Sequence, residues 1–236
     1  MSTILAIETS TEVASVALLR GQTVAARTSH GVQTHSETVL PLIHALLGEA
    51  GVRLDQCDAI AFGEGPGSFT GVRTACGIVQ GLAFGADIPV VPVVTLLAMA
   101  QGCRHKHGDV VVDVVPVIDA RMGEVYWAQY RFVAGVWQEI VAPVLSTADA
   151  VSPIGQAVVC GNGVSAYPAA FEGRDWVQMT DVEVMPHAAD IAGLAIGRVQ
   201  AGEVLPAEAA QPLYLRNKVA LTTAERQIRD AAKGVA

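Results

Sequence analysis

Charge is scarce in this chain. Asp, Glu, Lys and Arg make up only 16% of its 236 residues, and the formal net charge is −8. With 15 Lys and Arg against 23 Asp and Glu, no extended cationic face is on offer, which argues against unaided binding to nucleic-acid phosphates. The four cysteines, Cys57, Cys76, Cys103 and Cys160, form no Cys-x-x-Cys pair. That spacing argues against a disulfide framework and a thiolate zinc site, and it fits a reducing cytoplasm. No uncharged apolar run has the length of a bilayer span, and the opening Met1-Ser2-Thr3-Ile4-Leu5-Ala6-Ile7-Glu8 begins a strand at once without a basic n-region, so neither a membrane span nor a secretory leader is expected. What the chain does have is apolar residues, 51% of the total, enough to suggest surplus apolar surface for a partner.

The densest local signal is Gly63-Glu64-Gly65-Pro66-Gly67-Ser68-Phe69-Thr70-Gly71-Val72-Arg73, which places four glycines and a proline between an apolar strand and an apolar helix. Such a turn leaves backbone N–H groups uncovered at a helix start, where an anion can be held, or lets another surface pack close. The run lacks the Gly-Lys-Ser/Thr of a P-loop and the Gly-x-Gly-x-x-Gly of a dinucleotide fold. Gly65, Pro66, Gly67, Ser68 and Gly71 are therefore read as a structural turn. Ser68 is followed by phenylalanine and Thr70, so no nucleophile elbow is present.

Residues 4–7, 13–19 and 23–28 read as strands in an antiparallel meander. Thr34-His35-Ser36-Glu37 has capping-box spacing, and Val39, Leu42, Ile43 and Leu46 continue it as a helix over 35–48, with Pro41 expected to kink it. Residues 59–63 and 89–94 read as buried strands, and 70–84 and 95–102 as apolar helices. Arg104-His105-Lys106-His107-Gly108-Asp109 reads as a polar boundary loop, which divides the chain into lobes at 1–106 and 107–236. The second half repeats the first: a buried strand over 110–118 ends at Asp119, as the strand over 4–7 ends at Glu8, and strands over 124–132 and 137–145 follow. A repeat period close to half the chain is too long for a solenoid and suits two duplicated α/β lobes. A helix over 188–200 and a terminal segment at 211–215 complete the pattern, and the tail over 222–236 is expected to fray.

Glu8 and Asp119, each at a strand tip, could hold a hydrated metal or position a nucleotide phosphate between two lobes, or simply cap their own turns. His35 reads as a surface residue of the first helical turn, since Val39 stands where a second metal ligand would be needed. His105 and His107 flank Lys106 in the boundary loop and read as solvated. Helix 70–84 carries Gly77 and Gly81 four apart, and helix 35–48 adds Leu40 and Leu47 to its main apolar face. Both helices therefore show more apolar surface than one sheet needs, which points either to a protein interface or to deep burial.

The chain closely resembles the bacterial TsaB family, also called YeaZ. The motifs that carry the resemblance are Leu5-Ala-Ile-Glu-Thr-Ser-Thr11, Gly65-Pro-Gly-Ser-Phe-Thr-Gly-Val-Arg73, Ile118-Asp-Ala-Arg-Met-Gly-Glu-Val-Tyr126 and Pro212-Leu-Tyr-Leu-Arg216. The resemblance implies the two-lobed α/β fold of the actin, Hsp70 and sugar-kinase group, and a place in the machinery that makes threonylcarbamoyladenosine in transfer RNA. It implies a catalytic paralogue, TsaD, whose metal sits on two histidines four residues apart. After Val91-Pro92-Val93-Val94 this chain has Thr95 and Met99 at those places, so a pseudo-enzyme without metal or catalytic residues is expected. The implied contact with TsaD uses His35, Val39, Leu42, Ile43 and Leu46 of one helix. From the other it uses Val72, Arg73, Cys76, Gly77 and Gln80, with Arg73 and Glu64 helping to hold the interface. An ATPase, TsaE, joins the complex. ATP is used by the assembly rather than bound by this chain, tRNA is met only within it, and the same helices are expected to give homodimers when the partner is absent. The alternatives are an ATP-dependent kinase using Glu8 and Asp119, the possible vestigial nucleotide site, and a metal-dependent protease.

Overall fold

The structure, a computed structural model, describes residues 2–30 and 35–216. Thr34, the first residue of the expected capping box, and the tail over 222–236 lie outside the described residues. The opening strands form the expected meander: β1 (Thr3–Glu8), β2 (Val13–Arg20) and β3 (Thr23–His30) pair antiparallel. Helix α1 (His35–Ala50) leads to β4 (Ala59–Gly65), and helix α2 (Phe69–Ala86) leads to β5 (Val90–Val94). Strand β4 joins β1 in parallel and β5 joins β4 in parallel, giving the order β3-β2-β1-β4-β5. Pro41 lies inside α1 without ending it.

Helix α3 (Thr95–His107) crosses to a second sheet built from β6 (Asp113–Arg121), β7 (Glu124–Val133), β8 (Val136–Thr147), β9 (Ala157–Cys160) and β10 (Val177–Asp181). Its order is β8-β7-β6-β9-β10, with three antiparallel strands followed by two parallel ones, so the second sheet repeats the topology of the first. Where α2 follows β4 with 18 residues, α4 (Asn162–Ala166) follows β9 with five; α5 (Ala188–Gln200) comes last. Two mixed five-stranded sheets with flanking helices are the architecture expected of the duplicated two-lobed fold.

Strand β1 is apolar on both faces because both are covered, and the twofold alternation of strand side chains decides which residue meets which helix. Leu5 and Ile7 pack with Val39, Ile43 and Leu46 of α1 and with Ala75, Cys76 and Val79 of α2. Ile4 and Ala6 pack on the opposite face with Ile191, Ala192 and Ala195 of α5 and Ala98 of α3. The last of these helices thus covers the first sheet, while α3 turns Leu96, Met99 and Cys103 onto the second. The two helices between the sheets are exchanged relative to sequence order.

The boundary loop expected at residues 104–109 is not observed as such. Residues 104–107 are the last turn of α3, which ends at Gly108 with φ +77°. Polar residues persist in the helix there because they find partners. His105 Nδ1 lies 2.8 Å from Asp190, His107 Nε2 lies 2.6 Å from Asp181, and Arg104 donates to the Val111 carbonyl at 2.8 Å. Cationic groups at a helix C-terminus also complement its partial negative charge.

Candidate functional site

The glycine-rich run bends back on the corner that follows β1. Ser68 N–H donates to the Ser10 carbonyl at 2.6 Å, and Thr9 Oγ1 donates to the Gly71 carbonyl at 2.7 Å. A Cβ at Gly67 would stand 2.5 Å from the Ser10 carbonyl oxygen, and one at Gly71 would stand 1.9 Å from that of Thr9. Glycine is required at both places by this close backbone approach. Ser68 caps α2 by accepting from Gly71 N–H, so two of the amides that an anion cradle would use are already engaged. The run serves as a turn that locks two corners of the first sheet together.

Glu8 is wholly buried at the end of β1. Its carboxylate accepts from Ser10 N–H and, at 3.3 Å, from Thr95 Oγ1, which in turn accepts from Gly65 N–H at 3.1 Å. Burial pushes the Glu8 carboxyl above its ordinary value of 4.5, against the hydrogen bonds that favour the charged form. Gly63 makes the space for it, because a Cβ there would fall 1.8 Å from Glu8 Oε2.

Asp119 occupies the corresponding position on β6 and lives differently. It accepts from Arg121 N–H at 2.8 Å and from the Tyr167 hydroxyl at 3.0 Å, and it pairs with the Arg121 guanidinium at 3.0 Å. Asp119 is thus capping its own turn. Its backbone N–H donates to Asn162 Oδ1 at 2.9 Å, and Asn162 reaches Glu12 of the opposite lobe at 3.4 Å. A cavity of about 370 Å³ lies here between the lobes, lined by Asp119, Arg121, Asn162, Ser10, the glycine-rich turn and the segment at 213–216. Glu8 does not line it. The two carboxylates read as a shared nucleotide site are therefore not brought into one cavity, because Glu8 is sealed beneath the turn.

The segment at 213–216 closes this cleft from one side. Leu213 N–H donates to the Glu64 carbonyl at 2.7 Å, and Arg216 bridges to Glu124 at 2.6 Å and to the Ala120 carbonyl at 3.0 Å. Tyr214 stands beside Phe69 and over Arg73, whose guanidinium lies 3.2 Å from the Phe69 ring centre and 5.0 Å from that of Tyr214. Glu64 is half-buried in the β4 corner, its carboxyl raised by burial, and it makes no ion pair with Arg73 among the described residues.

The helix residues expected at a partner contact divide into two sets. Val39, Ile43, Leu46, Val72 and Cys76 face the sheet and are buried, so they have no surface to give. His35, expected at the surface, is also buried, because the first turn of α1 lies against the meander. Among the described residues, neither ring nitrogen of His35 has a hydrogen-bond partner. Leu42 and Gln80 are half-exposed, and Gln80 donates to the Ala210 carbonyl at 2.8 Å. Arg73 and Gly77 are exposed. The outer face of α2 runs Phe69, Arg73, Gly77, Gly81, Phe84, with Phe69 50% and Phe84 83% exposed, and Leu40 on the outside of α1 is 47% exposed. Apart from neighbouring residues and the helix's own backbone, no described atom lies within 4 Å of a Cβ placed at Gly77 or Gly81. Both helices stand where their spacing predicts, but most of the expected contact stripe points inward. Phe69 and Phe84, at helical spacing from Arg73, Gly77 and Gly81, are the sequence signal for the outward one.

Thr95 and Met99 sit where the resemblance places the metal-binding histidines, and both are fully buried. Thr95 is committed to Glu8 and Gly65, while the Met99 methyl packs so tightly that a Cβ on Gly161 would fall 2.4 Å from it. Among the described residues, no three His, Cys, Asp or Glu side chains gather as a metal site, and no helix is long and apolar enough to cross a membrane.

Residues 22–228 match the family model described as TsaD, tRNA N6-adenosine threonylcarbamoyltransferase. The chain is 40% identical over 223 residues to the tRNA threonylcarbamoyladenosine biosynthesis protein TsaB of Escherichia coli, covering 92% of this chain and 96% of that relative. It is 40% identical over 230 residues to the protein of the same name from Haemophilus influenzae, covering 92% and 94%. Among solved structures, YeaZ from Pseudomonas aeruginosa superposes with a TM-score of 0.83 at 39% identity, covering 91% of this chain and all of that one. With these lengths matched nearly end to end, and with the glycine-rich turn and both sheets in place, the chain belongs to the TsaB family.

Proposed function

We propose that this protein is a non-catalytic subunit in the biosynthesis of threonylcarbamoyladenosine in tRNA, and that it supports a catalytic TsaD paralogue. The observation that carries this reading is the buried pair Thr95 and Met99, one tied up by Glu8 and Gly65 and the other packed on Gly161, so that neither is available to a metal or a substrate. The relatives named TsaB supply the pathway. The partner surface is the outer face of α2, with the adjoining side of α1: an exposed helix bearing Phe69, Arg73 and Phe84 around glycines that let another helix approach closely. In this reading TsaE and ATP act on the assembled complex, tRNA is met there, and free protein pairs with a second copy through the same face in the cytoplasm. The kinase-like alternative needs Glu8 and Asp119 in one cavity, and Glu8 does not reach it.

Reconstitution of the modification with the TsaD and TsaE proteins of the same cell tests the proposal. Omitting this chain should abolish product. Phe84→Asp and Arg73→Glu should abolish co-elution with TsaD while leaving the unfolding midpoint close to that of the wild type. A charge at Cys76 would be a poor probe, since Cys76 is buried and its replacement would disturb the core. Full modification by TsaD and TsaE alone, or unimpaired co-elution of both surface variants, would overturn the reading.

A further inference from the structure

Helix α3 meets the second sheet along one stripe. Met99, Cys103 and His107 are spaced four apart and so lie one above the other on a single helical face. The outer two rungs of this ladder are explicit. Met99 packs on Gly161, and His107 Nε2 contacts Asp181 at 2.6 Å. Asp181 of β10 is the cross-strand partner of Cys160, which directly precedes Gly161. The middle rung of α3, Cys103, is thereby set against Cys160, and both side chains lie fully buried in one cluster with Met99. Neither cysteine belongs to the proposed partner surface or to the cleft.

We propose that Cys103 and Cys160 form a modification site, a dithiol that a peroxide converts to a disulfide joining α3 to β9. The Cys103 thiolate attacks one peroxide oxygen, the O–O bond breaks, and the departing hydroxide leaves as water after protonation, producing a sulfenic acid. The Cys160 sulfur then attacks the Cys103 sulfur, its proton passing to the departing hydroxide, so that a second water is released as the S–S bond forms. Both electrons come from the two sulfurs and reduce one peroxide to two waters. Cys103 is assigned as the nucleophile because it lies one turn from the end of α3, where the Lys106 charge favours its thiolate, whereas Cys160 sits on an inner strand of the sheet. Cys57 and Cys76, by contrast, are pushed up to about 11 and about 12 by burial and do not compete. Because Cys103 and Cys160 are both buried, peroxide enters when the end of α3 opens, and the bond once formed is shielded. It ties the helix that links the two sheets to β9, an inner strand of the second, closing the long chain segment between them.

The test is peptide mapping of the full chain after graded hydrogen peroxide, with thiols blocked by an alkylating agent in denaturant. The expected result is loss of two of the four alkylated sites, a mass lower by two hydrogens before alkylation, and a linked peptide pair carrying Cys103 and Cys160. The Tm should rise by several degrees on oxidation and return with dithiothreitol. A Cys57→Ser, Cys76→Ser double variant should behave like the wild type, and Cys103→Ser should lose the link; the wild-type peptide map decides even if that variant folds poorly. Four free thiols at doses that oxidise exposed methionine, a link to Cys57 or Cys76, or sulfinic acid at Cys103 without a link would each overturn the proposal.

Discussion

The two lobes share a strand order and differ in almost everything placed on it. Glu8 is the last residue of β1 and Asp119 lies two residues from the end of β6, yet one is sealed inside the protein and the other caps a turn beside an open cleft. The turn after β4 launches a helix of 18 residues whose outer face lies open, whereas the turn after β9 launches one of five. The shared backbone pairing needs only alternation and register, and it leaves the side chains near the strand ends free to differ. The first lobe leaves a helix face bare; the second turns its surplus inward, onto α3.

This contrast can be pressed hardest at the glycines. Gly63→Ala puts a Cβ against the buried Glu8 carboxylate and Gly161→Ala puts one 2.3 Å from the Val117 carbonyl, at φ +108°. Each should cost about 3 kcal/mol or more, read from denaturant unfolding. If Gly63→Ala unfolds no more readily than the wild type, Glu8 is not packed as described.

The carboxylates give the next largest separation. Since burial raises Glu8 above 4.5, the folded state binds its proton more tightly than the unfolded chain does. The stability this contributes is present below 4.5 and is lost as pH rises through the folded value. Glu8→Gln should therefore gain on the wild type as urea midpoints are followed from about pH 5 to about pH 8. A wild-type advantage growing with pH would reverse the sign and the explanation. Asp119→Ala, which forfeits two hydrogen bonds at a half-buried turn, should cost only about 1 kcal/mol.

At the open face of α2 the sign should change. Gly77→Ala has empty space to fill, so the free protein should gain about 0.5–1 kcal/mol from helix propensity alone. The same substitution should weaken co-elution with TsaD if a helix packs against that glycine. Unchanged affinity would move the contact elsewhere on the face.

Much of this is legible in the chain. The meander, the glycine-rich turn, α2 and the strand-carboxylate-strand repeat all follow from alternation, from helical spacing and from residues whose backbone demands are local. The region at 148–187 gives no such pattern, because β9 and β10 are short, four and five residues, and are separated by brief helical turns that leave no long periodic signal. His35 is misplaced by spacing because a helical period identifies a stripe without saying which stripe meets the sheet. The polar end of α3 has the composition of a loop because its partners, Asp181 and Asp190, lie far along the chain, at the end of β10 and in the first turn of α5.

Sequence alone determined that this chain builds two similar α/β units, each with a carboxylate near the end of its first strand, because strand alternation and glycine punctuation are properties of neighbouring residues. Only the tertiary structure decided that α5 returns to the first sheet, that Glu8 is sealed while Asp119 stays at the cleft, and which side of α2 remains bare. Those outcomes depend on contacts between segments far apart in the chain, where burial and close packing, and no local preference, choose the partner.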